Sequence, residues 1–422
     1  MFVQPQTTET LIAQVAFIAA TAMMTFIYAG YPALMFALSL IFRRPVRRDD
    51  ITPRVSIIIA AYNEDRDIEA KLKNTLELDY PRDRMEIIVA SDCSTDRTDE
   101  IVRSFSARGV ILYRQPERFG KTVAQNHAVK VSSGEILIFS DATTMYEPDA
   151  IRKIVRSFAD PEVGCVAGQL IYVDASSSAV GKGCRSYWGY EKFLKRCESR
   201  IGSLVGVSGC MYAVRRICHA RLANDMIDDF VIATEIHLQG VRTVYEPEAI
   251  AVEDTNRRAK DEFRMRVRVI KQTLSALRRY RSALNPFEHK MFAIQMIAHK
   301  VLRYAVPFLL IAALVASGWA SVSASVSVGW LRLAFIGQLA LYAAAVVGFI
   351  GERLKIKLGP LAIPYYFVLV NAASLVAFLK ALYGETYVVW EPVRDACNLN
   401  PSPETATGRD SYQYRAHKQA AG

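Results

Sequence analysis

The sequence predicts an α/β domain built on a mostly parallel, Rossmann-like sheet and set between transmembrane helices. Three observations carry that prediction: long windows without a charged residue toward both ends, short β-branched runs alternating with helix-period stretches between them, and basic residues gathered beside the apolar windows. The windows are 11–42, 304–331 (continuing past Arg332 to 351) and 358–379. At about 1.5 Å of rise per residue, roughly 20 apolar residues cross a bilayer, and each window reaches that length. In a chain of 422 residues, 51% hydrophobic and 22% charged, a sizeable polar middle remains, so a small stapled scaffold is excluded.

Residues 1–42 read as a first transmembrane helix. The segment is too long for a signal peptide, has no basic residue ahead of it and offers no small-residue cleavage site. Arg43, Arg44, Arg47 and Arg48 follow it, Lys300 and Arg303 precede the second window, and Arg353, Lys355 and Lys357 come later. Such flanks mark cytoplasmic ends and meet anionic headgroups, whereas the first ten residues and 318–329 carry no Lys or Arg. The expected topology therefore puts the N-terminus outside and 43–300 in the cytoplasm of a multi-pass inner-membrane protein. The net charge of +10 is assigned to membrane lipids rather than nucleic acid. Four crossings would leave the polar tail 384–422 outside, although Arg394, Arg409, Arg415 and Lys418 argue for the other side.

After Pro53, buried strands are expected over 55–60, 86–90, 110–113 and 135–139, with helices over 68–76, 98–105 and 122–131. That alternation implies parallel strands joined by right-handed crossovers. The order then loosens: a strand over 163–173, a helix near 187–199, a strand over 211–215, a helix after Asp228 and a basic helix over 264–281. The stretch 286–300 fits an interfacial helix on the membrane surface and an ordinary packing helix equally well. Seven cysteines, odd in number and without a C-x-x-C pair, suggest buried free thiols rather than a disulfide framework or zinc site.

In an open α/β sheet, ligands bind beyond the carboxyl ends of the strands. Here those ends run into Tyr62-Asn63-Glu64, Ser91-Asp92 and Ser140-Asp141. Each residue alone could cap a helix or hold a turn. Capping gives no reason for carboxylates to collect on one rim, so their joint placement points to a cation shared with a phosphate. Phe119-Gly120-Lys121-Thr122 ends like a P-loop, but the first glycine of that motif falls on Gln115. Lys121 reads either as a lone cation near phosphate or as a surface lysine. Asp228-Asp229 opens a helix, where the macrodipole favours acids; two adjacent carboxylates beside a hydrophobic run could equally raise one pKa to make a base.

The segments 55–64, 91–96 and 139–143 together resemble the family-2 glycosyltransferases, inverting nucleotide-sugar enzymes of the GT-A fold, and the flanking spans resemble their membrane-bound branch. The resemblance covers about 51–285 and implies roles. Tyr62 and Asp92 would hold the nucleotide base, with Glu64, Lys121, Arg266 and Arg268 on the donor side. Asp141 would be the first acid of D-x-D, contacting a divalent cation (Mg or Mn) with Thr143 in the second position. Asp229, beside Asp228, would be the general base. Ser208 and Gly209 would line the acceptor site, with Trp188, Tyr190 and Glu191 near the sugar.

Two departures matter. Thr143 replaces the second acid, and the run 265–269 keeps an arginine but lacks the glutamine and tryptophan of the Q-x-x-R-W found in processive members. The expectation is a GT-A domain over 43–285, an interfacial helix over 286–300 and about three transmembrane helices over 301–383. Its activity would be inverting transfer from a nucleotide sugar, a UDP-sugar by resemblance, to a lipid-linked or glycan acceptor in cell-surface polysaccharide or glycoconjugate synthesis. A processive polysaccharide synthase is the alternative within enzymes. A transporter or scaffold with a nucleotide-binding domain is the alternative outside them, weakened by the scarcity of ionisable residues in the spans.

Overall fold

The computed structural model describes residues 8–173, 179–254, 258–322, 329–354, 356 and 359–384. The expectations for the tail beyond 384 lie outside the described residues. Strands β1 (Val55–Ala61), β2 (Met85–Ser91), β3 (Val110–Arg114), β4 (Ile136–Asp141), β5 (Met145–Tyr146), β6 (Val163–Val173), β7 (Met211–Arg215) and β8 (Arg242–Asp254) form one sheet. Its order is β3-β2-β1-β4-β7-β6-β8-β5.

β1 is buried at every position because helices cover both faces, which is why it reads as an unbroken apolar run. On one face Ile57, Ile59, Val89 and Ile138 pack with Ile68, Leu72 and Val102; on the other Ile58, Ile88 and Phe139 pack with Ala124, Ala128 and Ile232. Phe139 also stacks on Tyr212, with ring centroids 4.7 Å apart. Phe139→Ala is expected to cost about 3–5 kcal/mol, seen as a lower thermal-unfolding midpoint of the purified chain.

The first four strands pair in parallel, as the alternation implies. The second half does not follow that rule. β7 runs antiparallel to β4 and β6, and β5 runs antiparallel to β8, while β6 and β8 pair in parallel. β8 has no counterpart among the strands expected from the sequence. Its register against β6 jumps from Gly168–Glu246 to Gln169–Ile250, so Pro247 and Glu248 sit in a bulge that interrupts any alternation. Glu246 is buried there and accepts from Arg48 Nε (2.8 Å) and Arg156 Nη2 (2.9 Å).

Four helical stretches are long and apolar enough to cross a membrane: Thr8–Ile41, Pro286–Val322, Gly329–Arg353 and Gly359–Leu382. The first widens into a π-type turn at Phe26–Gly30, just before Pro32, whose missing N–H breaks regular helical bonding. Residues 286–300 do not form a separate element. The helix Pro286–Met296, kinked at Lys290, continues through a π-type turn at Ile297–Val301 into Leu302–Val322. Phe292 and Met296 pack on Phe230 and Val231 of the α/β domain, and Phe287 remains exposed. That seam joins the polar domain to the apolar helices.

Candidate active site

The carboxyl ends of β1, β2 and β4 lie side by side on one edge of the sheet, where an open α/β fold places its crevice. Asn63 and Cys93, just beyond β1 and β2, both have positive φ (55° and 58°), a strained conformation that reverses the chain sharply at the rim. Asn63 Oδ1 accepts from the Thr95 N–H (2.6 Å) and the Asp96 N–H (3.3 Å), tying the two loops together. Glu64 is buried and its N–H donates to the Thr98 hydroxyl (2.7 Å). The Tyr62 ring carries the Arg118 guanidinium on one face, 3.8 Å from its centroid.

Asp92 is turned toward its own protein. Its carboxylate accepts from Gln115 Nε2 (2.7 Å), the Phe119 N–H (2.9 Å) and the Gly120 N–H, which reaches both oxygens. Burial raises its pKa, and these donors oppose that rise. The result is a clamp on the loop ahead of the helix Lys121–Val131. Gly120 takes φ +95°, a conformation costly for any side chain, and delivers Lys121 to the crevice.

Lys121 sits among the acids. Its Nζ is 2.7 Å from Asp141 Oδ1 at the end of β4 and 3.5 Å from Asp228 Oδ2 at the start of the helix Asp228–Leu238. Burial alone would lower its pKa; Asp141 and Asp228 hold it above the usual lysine value. Of the sequence's two readings for this residue, the structure removes the surface lysine. Arg268 also faces these groups: burial lowers its pKa to about 10 against the pull of Asp141, Asp228 and Asp229.

Asp229 differs from its neighbour. Asp228 is near Lys121 and the Tyr212 hydroxyl, whereas the Asp229 side chain makes no hydrogen bond or ion pair among the described residues. Burial first and Asp228 second raise its pKa to about 6. Its main-chain carbonyl accepts from the Val207 N–H (2.9 Å), which holds the segment containing Ser208 and Gly209 beside Asp229. A Cβ on Gly209 would lie 3.6 Å from both Asp228 Oδ1 and Asp229 Cβ and 3.7 Å from Lys121 Nζ, so the bare backbone borders both aspartates.

The structure takes some sequence candidates elsewhere. Arg266 donates to Glu262 (2.9 Å) and the Tyr366 hydroxyl (2.9 Å), tying its helix to the last apolar one. Tyr190 donates to the Ile27 carbonyl (3.2 Å). Glu191 is buried against His299 (3.1 Å) and Arg303, two residues of the helical stretch Pro286–Val322. All three serve the junction between the polar domain and the apolar helices, where burial forces each polar group to find a partner. Trp188 packs on Tyr172, with Lys195 5.6 Å above its ring.

Other residues at the crevice were missed. Glu253, at the end of the unrecognised β8, accepts from the Thr143 hydroxyl (3.1 Å); burial and the nearby Asp141 raise its pKa to about 7. Lys71 is fully buried behind the turn, donates to the Thr144 carbonyl (2.5 Å) and lies over Tyr146; burial lowers its pKa to about 7. Lys71 carries no sequence signal beyond helix period, and Glu253 would have needed β8. Among the described residues no three His, Cys, Asp or Glu side chains gather closely enough to hold a metal on their own. Asp141, Thr143 and Glu253 nevertheless offer hard oxygen donors, which fit a magnesium- or manganese-type ion that takes its remaining ligands from substrate phosphates and water.

Residues 56–220 match the model of Glycosyl transferase family 2. Poly-beta-1,6-N-acetyl-D-glucosamine synthase of Staphylococcus aureus (strain COL) is 28% identical over 215 residues, covering 49% of this chain and 52% of that protein. The enzyme of the same name from Staphylococcus epidermidis is 29% identical over 203 residues, 46% of this chain and 48% of that one. The chain thus spans about half the length of the curated relatives it matches. Among solved structures, mannosyltransferase PcManGT from Pyrobaculum calidifontis, in complex with GDP-Man and Mn2+, aligns over 88% of this chain and 99% of that chain, with 25% identity and a TM-score of 0.67.

Proposed function

We infer that this chain, a member of glycosyl transferase family 2 with a GT-A domain and apolar helices on either side, transfers a sugar with inversion from a nucleotide-sugar donor to a lipid-linked or glycan acceptor at the cytoplasmic membrane face. One observation carries the reading: Lys121 joins Asp141 and Asp228, from elements far apart in sequence, while Asp229 beside them keeps a carboxylate with no partner among the described residues. A divalent cation bound at Asp141, Thr143 and Glu253 would neutralise charge on the leaving diphosphate.

The remaining work belongs to side chains. Asp229 takes the proton of the acceptor hydroxyl as that oxygen attacks the anomeric carbon. Lys121 and Arg268 supply fixed positive charge where the diphosphate gathers negative charge, in a crevice that shields them from water. Tyr62 offers its ring for stacking on the nucleotide base. Asp92, by holding Phe119 and Gly120, sets the position of Lys121. In-line attack converts an α-linked donor into a β-linked product.

The deciding experiment measures nucleoside diphosphate release from a panel of UDP- and GDP-sugars in the presence of membrane lipid extract. Release with none of them, from protein that is folded, rejects the reading and favours a scaffold. Asp141→Ala is expected to abolish metal-dependent nucleotide affinity, measured by calorimetry with and without chelator; identical binding in both arms contradicts its assignment. A processive reading is favoured by the likeness to poly-beta-1,6-N-acetyl-D-glucosamine synthases, and single transfer by the missing tryptophan of Q-x-x-R-W. Product length separates them.

A further inference from the structure

Two cations beside Asp229, one buried and one half-buried, have no use in the chemistry described so far. Lys195, on the helix Ala179–Ile201, is only 6% exposed, and its Nζ donates to the Ser208 hydroxyl at 2.7 Å. Lys300 lies in the π-type turn Ile297–Val301, immediately before the apolar run Leu302–Val322. Its Nζ would lie 3.7 Å from a Cβ on Gly206, and the Asp229 carbonyl 3.8 Å from the same point. Neither lysine forms an ion pair among the described residues. Nearby cations do: Lys121 with Asp141, Arg303 with Glu191 and Arg266 with Glu262.

A buried ammonium without a counter-ion is costly, by several kcal/mol in general. Glu191 and Asp229 both act on the two lysines through space, but Glu191 is already engaged by His299 and Arg303, which leaves Asp229 as one carboxylate for two ammonium groups. The segment between them is bare, because Gly206 and Gly209 present no side chain toward Lys300, Lys121 or Asp229. The π-type turn matters as well. It places His299 against Glu191 and Glu198 while its neighbour Lys300 comes beside Gly206. A bare glycine backbone, positive charge and the hydroxyl of Ser208 therefore meet beside Asp229, next to the start of an apolar helix.

We propose that Lys195 and Lys300 form a phosphate-binding subsite for the acceptor, so that the molecule whose hydroxyl reaches Asp229 carries a phosphate or diphosphate group nearby. This rests on the reading of Asp229 as the transfer site. A phosphate supplies the missing negative charge and accepts from both ammonium groups, and Ser208 can add a donor. Two sources share that chemistry: the headgroup of a lipid phosphate, delivered along the helix that begins after Lys300, or the phosphate of a soluble acceptor.

The test uses the full chain in neutral detergent, saturated with nucleoside diphosphate and Mn2+ so that the donor side is filled. Dodecyl phosphate and inorganic phosphate are then titrated by calorimetry. Binding is expected, with Lys195→Met and Lys300→Met each weakening it about tenfold or more, the loss of a charge-assisted hydrogen bond. Lys195→Arg should restore most of it. Nucleoside diphosphate affinity, measured in the same samples, should be unchanged in all three variants and so reports folding. Tighter binding of dodecyl phosphate than of inorganic phosphate assigns a lipid headgroup; equal affinities assign a soluble phosphorylated acceptor. Absence of binding, binding indifferent to both Met variants, or complete displacement of phosphate by nucleoside diphosphate overturns the subsite. Failure of the unaltered chain to bind nucleoside diphosphate at all sinks the transferase reading itself.

Discussion

Asp229→Asn is expected to slow sugar transfer by roughly 10²–10⁴-fold, the usual contribution of a positioned base, while nucleoside diphosphate binding survives. Equal loss of both would show that the residue holds the donor instead. The pH profile gives a second check. A base must be ionised, and burial together with Asp228 raises the Asp229 pKa to about 6. Turnover of the unaltered chain should therefore rise with pH through about 6, then level off. Asp228→Asn removes the like charge and should move that acid limb to lower pH. The same shift sets a sign for stability. A carboxyl group whose folded pKa lies above its ordinary value of 3.8 favours the folded state only while protonated. That contribution is complete below about pH 4 and is lost as pH rises through about 6. At pH 7–8 the Asn variant should accordingly melt higher than the active chain, a trade of stability for a usable base.

Lys121→Met is the second substitution with a large expected effect. Its ammonium lies 2.7 Å from Asp141 Oδ1 and 3.5 Å from Asp228 Oδ2, so removing the charge leaves two carboxylates facing one another across the crevice. Turnover should fall about 10²–10³-fold, comparable to losing one electrostatic donor from an active site. Binding should change in opposite directions. Mn2+ alone should bind more tightly, because Asp141 no longer carries an ammonium that the ion must displace. Nucleoside diphosphate should bind more weakly, because a fixed cation beside its phosphates is gone. Calorimetry with Mn2+, with nucleoside diphosphate and with both resolves the two effects. Parallel weakening of both ligands would instead mean that Lys121 serves only to hold the fold.

By itself the sequence determined the elements whose signal is local. β1 to β4 and their helices were legible because strands covered on both faces become continuous apolar runs, and the apolar windows were legible because a bilayer imposes a length. It also put Tyr62, Asp92, Asp141 and Asp229 on one list, since strand ends and motif spacing are written in the chain. What it could not decide was which of these groups already has a partner. Asp92 spends its carboxylate on Phe119 and Gly120, Arg266 on Glu262 and Tyr366, and Glu191 on His299 and Arg303. Those partners lie far away in sequence, and no local pattern encodes them.

The tertiary structure alone supplied Glu253, Lys195 and Lys300. Glu253 comes at the end of a strand whose alternation is broken by a bulge, and Lys300 arrives through a π-type turn that re-aims its helix face. Periodicity can locate an element, but the direction in which a buried charge points depends on everything packed around it. For that reason the crevice was foreseeable as a place, while its division into a clamp, a cation bridge, a partnerless carboxylate and a flanking pair of lysines emerged only when distant segments folded against one another.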